Sequence, residues 1–188
     1  DAKDSGCRYL HFGYESGNER VLKLMDKATT TEIMTKHLQL TADAGIWNHC
    51  MGFFGFPGET REEAWSSVKF LEQNKDYVHS LGFGTFDLGR HNPVAKNPEK
   101  WGVTAYKNPE WDLALDYYYT VKNGMSIEEA ERVFEEFERK HNPGWDLRLF
   151  IREYVFLYIA RFGLQKLPDL QYQAAKIQGA APSLAGKM

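Results

Sequence analysis

A chain of 188 residues, 43% hydrophobic and 26% charged, has the composition of a soluble globular domain, which excludes disorder as its dominant state. Its formal net charge of −3 excludes a global basic field for nucleic acid or an anionic membrane surface. Only two cysteines occur, Cys7 and Cys50, which excludes a disulfide framework and suits a reduced, cytoplasmic setting.

The apolar run Arg8 to Gly13 predicts a first strand. A helix from about Thr31 carries Ile33, His37, Leu40 and Ala44 at helical spacing and stops at Gly45, a residue suited to a left-handed C-terminal cap. His49 to Phe54 and Ser80 to Leu88 predict two further buried strands, with a helix between them. Helix starts are marked by Ser16 to Glu19, Thr29 to Glu32, Thr60 to Glu63 and Ser126 to Glu129. Each offers a hydroxyl to a free N–H and a glutamate that reaches back.

Three Asn-Pro pairs, at 92, 97 and 108, make Gly89 to Lys107 a long ordered loop. From Trp111 the pattern turns helical, and the Tyr117 to Tyr119 run is expected to pack within a helix. Ile127, Ala130, Val133, Phe134 and Phe137 form one apolar stripe. Trp145 to Phe162 is apolar on most faces, and a small, polar tail from Ala174 is expected to fray. The most apolar stretch, Tyr154 to Ala160, is far shorter than the ~20 residues of a membrane-spanning helix. The fold class is therefore α/β: three parallel strands with flanking helices and right-handed crossovers, followed by a helical C-terminal region. Such a sheet leaves two open edges, so self-association of the chain is expected.

Two segments carry candidate chemistry. Glu15 and Ser16 follow the first strand, and Gly55-Phe56-Pro57-Gly58-Glu59-Thr60 follows the second. Ligand sites of parallel α/β folds gather at that end of the strands. A carboxylate there accepts from hydroxyls or an ammonium, and Gly55 and Gly58 permit close backbone approach to a ligand. The plainer account is that Glu15 and Ser16 complement a helix N-terminus and that Thr60 caps an ordinary turn. Asp87, Arg90 and His91 follow the third strand and either face a substrate or form a surface ion pair. Zinc at His11, His49 and Cys50 would need neighbouring residues of one strand to share a face, so satisfied histidines and no metal site are expected. His11, His49 and Glu15 would be the donors of a metal hydrolase.

In order and spacing, the strand, Glu15-Ser16-Gly17, Val21 to Lys27, Ala44-Gly45-Ile46, the next strand and Gly-Phe-Pro-Gly-Glu-Thr resemble the radical S-adenosylmethionine (SAM) superfamily over Ser5 to Leu71. The resemblance implies the C-terminal half of a partial (β/α) barrel over residues 1–107, and a helical region over 108–188. It also implies that Glu15 and Ser16 contact the ribose or methionine part of SAM. Lys27 would meet the SAM carboxylate, and the backbone at Phe54, Gly55 and Phe56 would flank adenine. The loop around Asp87 to Val103 is similar to members that carry a cobalamin-binding domain, which admits cobalamin as a further cofactor.

The family's CxxxCxxC motif, whose thiolates hold a [4Fe–4S] cluster, does not occur in this sequence. The expectation is that this chain alone neither assembles the cluster nor cleaves SAM, and that no cofactor is bound to it. It would complement an N-terminal half-barrel and face an unidentified substrate. No catalytic residue is assigned. The alternative is a half-barrel interaction domain without catalysis.

Overall fold

In the computed structural model the described residues are 2–106, 115–141, 158, 161 and 162. Among them run β1 (Tyr9–Glu15), α1 (Glu19–Leu24), α2 (Thr31–Asp43), β2 (Trp47–Phe54), α3 (Arg61–Gln73) and β3 (Ser80–Thr85). Then follow a short α4 (Pro93–Lys96), a 3-10 turn (Pro98–Trp101), β4 (Val103–Tyr106), β5 (Tyr118–Val121) and α5 (Ile127–His141). The helix expected over Trp145 to Phe162 lies almost wholly outside the described residues, and the tail from Ala174 lies wholly outside them. None of the described helices is long and apolar enough to cross a membrane.

β1, β2 and β3 form a parallel sheet in that order, with His11 opposite His49 and Cys50 opposite Leu81. Because side chains alternate, one face carries Phe12, Tyr14, Cys50, Phe54, Leu81 and Phe83. This face packs on Leu38 of α2, Val68 and Leu71 of α3, and Val133 and Phe137 of α5. Burying a side chain such as Phe54, which is fully enclosed, contributes roughly 1.5–3 kcal/mol. Buried Asn48 donates from Nδ2 to the carbonyls of Leu38 and Tyr77, both at 2.8 Å, tying α2 to the lead-in of β3. The opposite face carries Tyr9, His11, Trp47, His49, Met51 and Ser80 and leaves His11 and Met51 exposed.

Two expectations are corrected here. The α2 stripe does not face the core: Met34 and Leu38 pack inward, while Ile33 and Leu40 stand exposed. Residues 103–121 are not simply loop and then helix. β4 and β5 pair as an antiparallel ribbon, with Tyr106 opposite Tyr118 and Val103 opposite Val121. Aromatic and β-branched residues favour that pleated surface, and Tyr119 is buried with its hydroxyl donating to the Phe86 carbonyl at 3.0 Å.

Candidate functional site: a pocket at the carboxyl ends of the strands

A pocket of about 730 Å³ opens beside the C-terminal ends of the three parallel strands, within the size range of small-molecule sites. Its lining includes Glu15 and Lys27, the aromatic side chains Phe53, Phe56, Phe86 and Trp101, and the charged Asp87 and Lys100. The sheet places Glu15 through a register shift: Gly13 pairs with Met51 but Glu15 with Gly52. Glu15 adopts φ 62°, a left-handed conformation that costs a non-glycine residue free energy and clusters at functional sites. Lys27 follows α1 and donates to Glu15 Oε1 at 2.9 Å.

The aromatic wall is held by edge contacts. Phe56 meets Phe86 at 5.3 Å and 76°, and Trp101 at 5.4 Å and 83° between ring centroids and planes. Lys100 Nζ lies 4.8 Å from the Trp101 ring centre, a cation–π contact at the pocket edge. The Asp87 carboxyl is raised above the usual carboxylate range by burial, and further by the charge of Asp116.

Not every expected residue reaches this pocket. Ser16 is fully buried and turned toward α3, its Oγ 3.2 Å from Ser67 Oγ and accepting from the Asn18 N–H. Phe54 points into the core. Gly55 has φ +86°, and a Cβ there would stand 2.5 Å from the Ala130 methyl, so α5 rather than a ligand approaches it. Gly58 likewise meets Leu24. Of the second segment only the Phe56 side chain, with neighbouring Phe53, lines the pocket. Of the third-strand group Asp87 lines it as well, while His91 is exposed.

Sequence reasoning missed Glu59, which anchors this wall. Its Oε2 accepts from the Gly55 N–H at 2.7 Å and its main-chain carbonyl from Met125 N–H at 2.8 Å. Fully enclosed, Glu59 has its pKa pushed up to about 7, chiefly by burial, against the pull of the Gly55 and Phe56 N–H groups. A glutamate inside an otherwise apolar turn was the signal. Arg20 locks the same turn from outside, donating to the Gly58 carbonyl at 2.6 Å and pairing with Glu63.

His11 and His49 do meet, with ring centroids 4.9 Å apart, but Cys50 points to the opposite face. Burial, then the neighbouring His11, lowers His49 to about 4, and burial pushes the Cys50 thiol up to about 12. Among the described residues no group of three or more His, Cys, Asp or Glu is placed to hold a metal. A carboxylate, an ammonium and an aromatic wall around one cavity fit the hydroxyls, charged amino-acid end and flat base of SAM. The thiol inventory does not fit an iron–sulfur cluster, since Cys50 is sealed in the core.

Residues 1–71 match the model of the radical SAM superfamily. An uncharacterized methyltransferase of Pyrococcus horikoshii is 34% identical over 73 residues, 38% of this chain and 16% of that protein. The threonylcarbamoyladenosine tRNA methylthiotransferase MtaB of Bacillus subtilis is 26% identical over 148 residues, 75% of this chain and 33% of its own length. The chain thus spans a third or less of these relatives. Archaeal Elp3 of Methanocaldococcus infernus, solved with an N-terminal deletion, superposes with a TM-score of 0.51 at 17% identity, over 74% of this chain and 38% of that one. That likeness is one of fold.

Proposed function

From the membership of residues 1–71 in the radical SAM superfamily, we propose that this chain supplies one wall of a SAM site in an enzyme of that superfamily. The observation that carries the proposal is that Glu15, Lys27 and Phe56, all within the matched segment, line one pocket at the carboxyl ends of the strands. Glu15 is suited to accept from ribose hydroxyls or the ligand ammonium, and Lys27 to meet its carboxylate as a point charge. Phe56, Phe86 and Trp101 offer apolar surface to the base and exclude water from it. SAM would supply the one-electron chemistry there, beside a [4Fe–4S] cluster held by residues outside this sequence. The role of the chain's own residues is to bind and orient.

The test is calorimetric titration of SAM into the complete natural polypeptide, with Glu15→Ala and His37→Ala variants compared. Saturable binding weakened by the first and untouched by the second supports the site; no saturable binding overturns it. The alternative, a half-barrel interaction domain without catalysis, is favoured by the cysteine inventory alone. A CxxxCxxC motif in the same reading frame upstream would decide against it.

A further inference from the structure

We propose that His11, His49 and Met51 form a binding site for a soft transition-metal ion, copper(I), on the sheet face opposite the packed core. His11 Nδ1 stands 3.4 Å from Met51 Sδ, a separation at which one ion can bridge both donors. The His49 ring lies beside them, edge-to-face with His11 at 4.9 Å and 63°. Position 82 of the neighbouring strand is a glycine, and the space its side chain would fill is bordered by His49 and Met51. A Cβ there would lie 2.9 Å from His49 Nε2 and 3.6 Å from Met51 Cγ. His49 Nε2 and the Met51 side chain therefore border one bare patch of the sheet, and His11 Nδ1 lies against the sulfur of that same Met51.

The surroundings orient these donors. His49 Nδ1 is 2.7 Å from Ser80 Oγ, which also accepts from Trp47 Nε1 at 2.9 Å. With Nδ1 occupied, Nε2 is the nitrogen left to face the bare patch, the arrangement by which an outer partner fixes a metal-bound imidazole. The Tyr9 ring packs edge-on against His11 at 4.7 Å and 76° and restricts its rotation. The donor chemistry selects the ion: thioether sulfur prefers soft metals, imidazole suits copper among others, and copper(I) satisfies both. Histidine–cysteine zinc is a different site, because Cys50 faces the core. This inference is independent of the SAM pocket, which shares none of the three donors.

The test is anaerobic titration of the full 188-residue chain with copper(I) against a competing chromophoric chelator, in a Cys7→Ser background that removes the accessible thiol. One equivalent should bind. Met51→Leu, a volume-conserving change at an exposed position, should weaken it on the order of tenfold or more, and Ser80→Ala by roughly tenfold. Gly82→Ala should weaken it as well, by filling the patch. Circular dichroism checks that each variant stays folded, and X-ray absorption should show both nitrogen and sulfur neighbours. Binding that vanishes with Cys7→Ser, that ignores Met51→Leu, or that zinc(II) displaces at equal concentration would overturn the proposal.

Discussion

Lys27 Nζ lies 2.9 Å from Glu15 Oε1, and this ion pair joins the turn after α1 to the end of β1 in the lining of the pocket. Its side chains remain 42% and 20% exposed, so the pair itself stabilises the fold by about 0–1 kcal/mol.

Glu15→Ala should consequently leave the melting temperature nearly unchanged while weakening SAM binding by about 1.5–3 kcal/mol, the worth of a charge-assisted hydrogen bond. Parallel thermal melts and calorimetry in the complete polypeptide separate the two effects. Unchanged affinity with a lowered melting temperature would mean that Glu15 serves only the turn.

Glu59 should impose a pH dependence on stability. Its pKa is raised from the ordinary 4.5 to about 7 in the folded chain, chiefly by burial, so the folded state holds a proton that the unfolded state releases. Its contribution is fully present below pH 4.5 and is lost as pH rises through about 7, a change on the order of 3 kcal/mol. Denaturant titrations across that range should show the decline in the native chain, and Glu59→Gln should flatten it.

Gly124→Ala should destabilise the chain by about 2–4 kcal/mol, combining a left-handed backbone with overpacking. Gly124 has φ +88°, and an added Cβ would stand 2.7 Å from the Glu59 carbonyl and 2.8 Å from the backbone of Gly58. Gly84→Ala is the matched control, because nothing lies within 4 Å of its Cβ position. Equal melting temperatures for the two variants would refute the close approach of the Gly124 turn to the pocket loop.

The chain should self-associate. β1 and β3 are the outer strands of the three-stranded sheet, and outer strands present unpaired backbone groups to a second copy. A two-fold pairing is the commonest closed solution. Sedimentation equilibrium at micromolar concentration should report a mass above that of one chain; the monomer mass at every concentration would refute this.

What the sequence made legible follows from physics that acts locally. Buried strands show as apolar runs, and all three appear within a few residues of their expected positions. Thr60 and Glu63 cap each other reciprocally, as do Ser126 and Glu129, because four adjacent residues decide it. Where a tertiary partner intervened, the pattern misled. Glu19 accepts from Thr31 instead of reaching back to Ser16, and Asn18 caps α1. The four-residue strands of the β4–β5 ribbon are too short to show a period, and only the tyrosine run hinted at them. Ser16 and Phe56 sit in equally suggestive segments, yet the direction of each side chain depends on α3 and on Trp101, which are distant in sequence.

Neighbouring residues of β2, Phe53 and Phe54, belong to different hydrophobic clusters, one around the pocket with Phe56, Phe86 and Val103 and one against the helices. The strand is thus a partition. Substitutions on the pocket side can reshape what the cavity admits without disturbing the helix-backed layer. A lineage can therefore vary ligand preference while the scaffold keeps its own stability, and local opening of the pocket walls need not unfold the rest.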